Sequence, residues 1–221
     1  MTFLFMILAL ARHVLLQVLS INGAWKKTEY HQGLSWKNHV KSIVDWLIPV
    51  RHIYRNNPLT GILSFSFHVG LIIVPIFFMD HVFLWNRGLG ISWPGISKHV
   101  ADVLSIVTIV TATILFVVRI VHKPSRFMSG PMDYFLLVLL TLPFVTGFLA
   151  AHPAINPVRY NITMLIHVLS SEMIFVLIPL TKLSHCVLFP FDRISSDIFW
   201  RFPAEAGELV AVELHGEEVK V

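Results

Sequence analysis

Two long apolar stretches decide how this chain folds: LTGILSFSFHVGLIIVPIFFMDHVFLW at residues 59–85 and NITMLIHVLSSEMIFVLIPLTKLSHCVL at residues 161–188. Each is longer than the roughly 20 apolar residues that cross the hydrocarbon core of a bilayer as a helix. The whole chain of 221 residues has the same character, because 55% of it is hydrophobic and only 14% is charged. Soluble domains average about 25% charged residues. The sequence therefore predicts an integral membrane protein.

Three further apolar runs, at residues 2–24, 99–121 and 131–150, complete a set of five predicted membrane spans. The loops between the last three spans are short, so neighbouring helices are expected to run antiparallel. We predict an all-α membrane bundle of five transmembrane helices within residues 1–188. Residues 189–221 are polar and end with acidic residues. We predict that they form a cytoplasmic tail that docks a partner protein.

The basic residues of the loops predict the orientation of the bundle. The loop after the first span and the loop after the third span hold most of them: Lys26, Lys27, Lys37, Lys41, Arg51, Arg55, Lys123 and Arg126. The opposite side holds only Arg87, Lys98 and Arg159. Because cytoplasmic loops carry an excess of Lys and Arg, the N-terminus is predicted outside and the C-terminus in the cytoplasm. Basic residues confined to loops indicate topology, so no nucleic-acid partner is predicted.

Four histidines lie inside the two long apolar stretches, His68 and His81 in the first and His167 and His185 in the second. An ionisable side chain in hydrocarbon is costly and marks a functional site by default. Antiparallel spans would place His68 at the depth of His185, and His81 at the depth of His167. We predict two haems with paired histidine ligands, one near each membrane face. The thirteen-residue gap between His68 and His81 puts them on different helix faces, and Pro75 between them can kink the helix.

Two other interpretations of the histidines stay open at this stage. They can be hydrogen-bonded structural residues, or they can relay protons in a small transporter or proton channel. The single cysteine, Cys186, excludes an internal disulfide and a cysteine-ligated iron–sulfur cluster held by this chain alone. Haem binding and proton relay are therefore alternative functions for the same four histidines.

At these residues the chain resembles the gamma-subunit family of respiratory nitrate reductase. That family includes the membrane cytochromes of heterodisulfide-reductase-like and sulfate-reducer redox complexes. The resemblance covers roughly residues 10–190 and rests on the paired histidines, on PLTKLSH at residues 179–185, on Phe189-Pro190 and on the run from Arg119 to Met132. The gap between the two histidines of the second span is longer here than in nitrate reductase subunits. The sulfate-reducer or heterodisulfide-type branch therefore fits at least as well.

The resemblance implies a multi-pass protein of the prokaryotic inner membrane with two b haems. It also implies quinone chemistry near the outer haem, with menaquinone or ubiquinone, and a cytoplasmic iron–sulfur partner. We therefore expect an electron-transfer subunit of an oxidoreductase complex, distinct from the subunit that catalyses the terminal reaction. The family places a quinone-contacting lysine where Lys98 stands, although an interfacial anchor explains this residue equally well.

Several other polar residues near the predicted membrane faces have candidate roles. Asp80 precedes His81 and could accept a quinol proton, or it could be a simple interfacial carboxylate. Arg119 and Lys182 lie at the cytoplasmic edge and could pair with haem propionates, although snorkelling at a helix end explains either. Glu172, with Ser170 and Ser171 as expected hydrogen-bond donors, could belong to a proton path or be a neutral buried acid.

Overall fold

The structure is a computed structural model that describes residues 1–27 and 58–199, together with residues 37, 40, 41, 43 and 44. Residues 200–221 of the predicted docking tail lie outside the described residues. The described secondary structure is helical, apart from turns and an isolated bridge between Phe78 and Ile96. Five of the helices are long and apolar enough to cross a membrane. The prediction of an all-α, multi-pass membrane protein is confirmed to that extent.

The helices, in chain order, are α1 (Thr2–Lys27), α2 (Pro58–Phe77), α3 (Met79–Leu89), α4 (Lys98–Val121), α5 (Lys123–Phe127), α6 (Pro131–Ala151), α7 (Tyr160–Leu180) and α8 (His185–Phe199). A short 3-10 helix, Lys182–Ser184, lies between the last two. Helices α1, α2, α4, α6 and α7 have the length and hydropathy of membrane spans. The predicted spans at 2–24, 99–121 and 131–150 agree with α1, α4 and α6 within a few residues.

Local sequence explains where several of these helices begin and end. Ser97 caps α4, because its hydroxyl accepts a hydrogen bond from the backbone N–H of Val100. Gly90 follows the end of α3 with a φ of 71°, a left-handed conformation that glycine adopts without strain. Pro131 occupies the first position of α6, where a missing N–H removes no helical hydrogen bond.

The predicted span 59–85 is interrupted at Phe78, whose ψ of 129° is extended. Pro75 lies one turn earlier and supplies no N–H to the helix. The loop after α3 returns to this break, where the indole N–H of Trp93 donates to Ile76 O at 3.0 Å and the backbone N–H of Ile96 donates to Phe77 O at 2.7 Å. Ile76 O and Phe77 O therefore have hydrogen-bond donors in spite of the break, as backbone groups within a membrane require.

The predicted span 161–188 is also interrupted, because α7 ends at Leu180 and Thr181 is extended. The hydroxyl of Thr181 accepts from the backbone N–H of Leu183 and starts the 3-10 helix. His185 is consequently the first residue of α8, past the end of the apolar span. The expectation that His185 lies late within one continuous membrane helix is wrong, because the threonine cap ends that helix earlier.

Small residues on α4 allow its neighbours to pack closely against it. Ala101, Ser105, Thr108 and Ala112 are buried at helical spacing, the pattern of small residues that lets membrane helices approach. Gly70 of α2 is pressed so closely against α4 that a Cβ there would overlap the hydroxyl of Thr108. Thr108 is completely buried and donates to Leu104 O at 2.6 Å. Helices α2, α4 and α6 form a closely packed row, with α4 in the middle.

The chain divides into two compact units. One consists of residues 49–176, with helices α2 to α6 and most of α7. The other consists of residue 1, residues 3–48 and residues 177–221. In this second unit, the ring Nε2 of His13 donates to Pro179 O at 3.1 Å, and the side-chain amide of Gln17 donates to Asp192 at 3.0 Å. These bonds connect α1 to the end of α7 and to α8.

Replacing Gly70 with alanine should lower the thermal unfolding midpoint of the detergent-purified protein, because the added methyl group overlaps Thr108. Overpacking of this kind costs about 1–3 kcal/mol. Adding Thr108→Ala should recover part of that loss by removing the overlapping hydroxyl. Gly88→Ala is the matched control, since no atom lies within 4 Å of a Cβ at that position. Equal midpoints for the Gly70 and Gly88 variants would contradict the close packing of α2 on α4.

Candidate haem-binding site

His81 of α3 and His167 of α7 lie next to each other within the unit of residues 49–176. Their ring centroids are 6.3 Å apart, and their ring planes differ by 21°. These two residues form one of the two pairs that the sequence predicts. The break at Phe78 changes the direction of the chain between His68 and His81. His68 and His81 therefore need not face the different directions that their spacing would give them on one unbroken helix.

The ring of His81 is fixed by a hydrogen bond between its Nδ1 and the carbonyl oxygen of Pro75, at 3.1 Å. A bond from a side chain to a carbonyl six residues earlier is available here because the helix is broken between them. The Phe78 ring also contacts this imidazole edge-on, at 5.5 Å between centroids. Because a carbonyl oxygen only accepts, Nδ1 must carry the proton, and Nε2 is then the basic nitrogen.

The ring of His167 is held in the same way by α6. Its Nδ1 lies 2.9 Å from Pro143 O and 3.3 Å from the hydroxyl of Thr146. Gly147 gives the ring room, because a Cβ there would lie 3.0 Å from Cε1 of His167. The bond to Pro143 again places the proton on Nδ1 and leaves Nε2 basic. Metal-bound histidines almost always donate their second ring N–H to such an acceptor.

The spacing of the two rings is that of two imidazoles that share one metal ion. Two imidazole nitrogens, each about 2 Å from a shared metal ion, put the ring centroids roughly 6 Å apart, close to the observed 6.3 Å. Two imidazole rings that only stack on each other can have either tautomer. Both rings here have the same tautomer, because Nδ1 of each bonds to a carbonyl oxygen.

The described residues contain no group of three or more His, Cys, Asp or Glu side chains able to hold a metal ion. A haem needs only axial ligands from the protein, because the porphyrin supplies the other four. Two histidines would therefore be enough to hold one haem.

His68 and His185, the second predicted pair, have the same ring chemistry. The Nδ1 atom of His68 lies 2.7 Å from Ser64 O, and that of His185 lies 2.6 Å from Lys182 O. Both rings therefore also carry their proton on Nδ1. His68 is half-buried in α2, and His185 is exposed at the start of α8. The two residues belong to different units of the chain, and their pairing stays a prediction.

The residues predicted to bind haem propionates or quinone lie at helix ends. Arg119 donates to the backbone oxygen of Asp133 at 3.2 Å, and Lys182 is exposed in the 3-10 helix. Asp80 is exposed in the first turn of α3. Lys98 begins α4, and its ammonium group donates to Ala151 O, at the end of α6, at 2.8 Å. Their roles toward haem and quinone stay predictions.

Glu172 lies on the protein surface of α7, so its burial within the membrane stays a prediction. Ser170 and Ser171, which could have bonded to it, instead donate to the backbone oxygen of His167 at 3.1 and 2.7 Å. Hydroxyl groups within a helix commonly bond to a carbonyl three or four residues earlier, because that acceptor is the nearest one. The two serine hydroxyl groups therefore add hydrogen bonds to the helical turn that follows His167.

Two ionisable residues that the sequence reasoning passed over form an ion pair in the same unit. Nε2 of His152, just after α6, lies 3.3 Å from a carboxylate oxygen of Asp102 on α4. Nδ1 of His152 lies 2.9 Å from Phe148 O. The sequence contains a feature that points to Asp102, because this carboxylate follows Lys98 by four residues in an otherwise apolar run. Residues with that spacing share one face of a helix.

The chain is 32% identical over 164 residues to a protein of Nitratidesulfovibrio vulgaris strain Hildenborough that is described simply as "Protein". The alignment covers 74% of this chain and 71% of that relative. The chain belongs to the same family as this protein. No protein-family model matches the sequence. No solved structure matches it either.

Gly147→Ala should weaken haem binding by the pair of His81 and His167, because the added methyl group pushes the His167 ring away from Pro143. Changes to groups that support a metal ligand typically cost 10- to 100-fold in affinity, so we expect a loss of about tenfold or more. Haem titrated into haem-free protein measures this, in a His68→Ala background that removes the second predicted site. Gly88→Ala in the same background is the control. Unchanged affinity in the Gly147 variant would show that this contact does not support a ligand.

Proposed function

We propose that this protein is the membrane cytochrome b subunit of a respiratory redox complex. It passes electrons between the quinone pool and a cytoplasmic iron–sulfur partner through two b haems, each held by two histidines. The observation that carries the proposal is the pair of His81 and His167. Their rings lie 6.3 Å apart, and each has Nδ1 hydrogen-bonded to a proline carbonyl. This arrangement leaves Nε2 of each ring basic, and the proposal is that the two Nε2 atoms bind one shared haem iron.

Haem, when bound, supplies an iron that takes up and releases one electron at a time. His81 and His167 would hold one haem in the outer site, and His68 and His185 would hold the other in the inner site. The carbonyl bonds to Nδ1 hold each ring in one tautomer and raise the basicity of Nε2. Pro75 and Pro143 provide those carbonyl groups for the outer pair. Arg119 and Lys182 provide positive charge for the propionates at the cytoplasmic face.

The competing function is a small transporter or proton channel in which the histidines relay protons. A relay histidine takes a proton at one ring nitrogen and releases one from the other. In His81 and His167, Nδ1 is already committed to a carbonyl oxygen that cannot accept a further proton. This commitment favours fixed ligands over relay groups. A visible absorption spectrum separates the two functions, because only the haem protein has a reduced b-type α-band.

The basic loops support a bundle with its N-terminus outside and its C-terminus in the cytoplasm, in the inner membrane of a prokaryote. The pair of His81 and His167 then lies toward the outer face, and menaquinone or ubiquinone would react there, near Asp80 and Lys98. The resemblance to nitrate reductase gamma subunits and to sulfate-reducer membrane cytochromes supports the same arrangement. The protein would act as the quinone-linked subunit and leave the terminal reaction to its cytoplasmic partners.

A pyridine haemochrome assay on purified protein should return about two b haems per chain, the number that two bis-histidine sites hold. His167→Ala should reduce the content to about one, because His81 alone leaves the iron with one axial ligand. His13→Ala is the matched control, since His13 bonds to Pro179 O and has no predicted ligand role. A colourless wild-type protein would end the haem proposal. Two haems in the His167 variant would remove the outer pair from it.

Truncation after Phe199, where α8 ends, should release the iron–sulfur partner while both haems remain. The physical reason is that this truncation keeps α8 and the bond from Gln17 to Asp192, and removes only the following residues proposed to dock the partner. Their sequence combines apolar and acidic residues, which suits an interface with a partner. Co-purification measured against the full-length chain, with the haem spectrum as a check on folding, tests this. A truncated chain that retains its full complement of partner subunits would contradict docking through the tail.

A further inference from the structure

The ion pair of Asp102 and His152 lies close to the outer histidine pair along α6. Thr146 and Gly147 of α6 contact the ring of His167. His152 follows Gly147 by five residues, a rise of about 7.5 Å along a helix. The ion pair therefore lies roughly one and a half turns from the contact with His167, toward the end of α6.

When His152 is neutral, its contact with Asp102 has two hydrogen-bond acceptors and no donor. Nδ1 of His152 faces Phe148 O at 2.9 Å, so that nitrogen carries a proton. Nε2 faces a carboxylate oxygen of Asp102 at 3.3 Å. A neutral imidazole and an ionised carboxylate would then face each other with lone pairs only. A proton between them, or a hydroxyl donor from a ligand, resolves this arrangement.

The pair is also accessible and lies beside a fixed positive charge. The side chains of His152 and Asp102 keep 29% and 22% of their surface exposed, so a ligand can reach them from one side. The Lys98 ammonium group donates to Ala151 O, the residue before His152. An ammonium group has three donors, so Lys98 can hold this helix end and still favour an oxygen with developing negative charge. The Phe148 ring, 4.4 Å from that of His152 between centroids, adds a flat apolar surface.

A purely structural role would leave His152 protonated, so that it pairs with the Asp102 carboxylate and interacts favourably with the dipole at the end of α6. Such a salt bridge needs no ligand and accounts for these two residues. It does not account for the Lys98 ammonium group beside them, or for a position that stays partly open one and a half turns from a predicted haem ligand. Groups able to take a proton and groups able to stabilise an oxyanion are what oxidation of a hydroxyl compound needs.

We propose that the pair of Asp102 and His152 is the proton acceptor for quinol, an inference that rests on the proposed function. Oxidation of one quinol to quinone breaks two O–H bonds and releases two protons and two electrons. The hydroxyl nearest the pair donates to Nε2 of His152 and to Asp102, and its proton passes to them. The pair returns that proton to solvent before it receives the second. The two electrons would pass one at a time to a haem held by His81 and His167, which would hand on the first electron before it takes the second.

The test compares two electron donors on the full-length purified protein. Menadiol must lose protons when it is oxidised, whereas reduced methyl viologen gives one electron and no proton. Asp102→Asn keeps the size of the side chain and removes its ability to take a proton. A positioned proton acceptor typically contributes 10²- to 10⁴-fold, so we expect haem reduction by menadiol to slow about 100-fold or more. Reduction by viologen should stay within about twofold of the wild type.

Binding gives a readout that does not depend on electron transfer. A fluorescent hydroxyquinoline N-oxide, a quinol analogue, should bind about tenfold more weakly to the Asp102 variant, because a charge-assisted hydrogen bond is lost. Asp133→Asn is the matched control, since it removes a carboxylate from the opposite end of α6, where Asp133 caps the Gly130 N–H. His152→Gln is the second variant, and it should reproduce both effects if Asp102→Asn proves unstable.

The outcomes separate this inference from the proposed function. Loss with menadiol, but not with viologen, together with weaker analogue binding, supports the proton acceptor. Equal slowing with both donors would assign the pair a structural role and overturn the inference, as would menadiol rates within threefold of the wild type. In those cases the haem spectrum remains intact and the proposed function stands. A wild-type protein without a b-type α-band would overturn the proposed function and, with it, this inference.

Discussion

Hydrogen bonds from histidine rings to backbone carbonyl groups are the interaction on which the candidate site depends. His81 donates to Pro75 O, just before the helix break at Phe78, and His167 donates to Pro143 O within α6. The membrane interior offers no water to compete for these acceptors. Each bond fixes the orientation of one ring and decides which of its nitrogens is basic.

His13 shows that the same interaction can have the opposite consequence. It donates to Pro179 O through Nε2, not through Nδ1, so its basic nitrogen is Nδ1. Nδ1 lies next to the Cβ substituent and is the more hindered ring nitrogen. A histidine bonded in this way ties α1 to the end of α7, which is a structural task. The difference in the bonding nitrogen separates His13 from the predicted ligands more clearly than burial does.

Much of the fold was predictable from the sequence, because membrane spans depend on the length and hydropathy of contiguous residues. The five spans and their bounds at 2–24, 99–121 and 131–150 follow from that pattern, and α1, α4 and α6 confirm them. The breaks at Phe78 and Thr181 were not predicted, because each depends on acceptors and donors supplied locally or by a returning loop. Trp93 and Ile96, for example, satisfy Ile76 O and Phe77 O from seventeen and nineteen residues away in sequence.

The candidate site divides in the same way. The sequence by itself determined that ionisable histidines occur in apolar spans, since composition and spacing are properties of the chain alone. The sequence also predicted that His81 would lie beside His167, and the two rings are neighbours in the structure. Only the tertiary structure decided that both rings hold their proton on Nδ1 and that Asp102 meets His152. The physical reason is that a hydrogen bond between helices depends on the relative position and rotation of those helices. Those quantities arise from packing at residues such as Gly147 and from breaks such as the one at Phe78, far from the residues that they align.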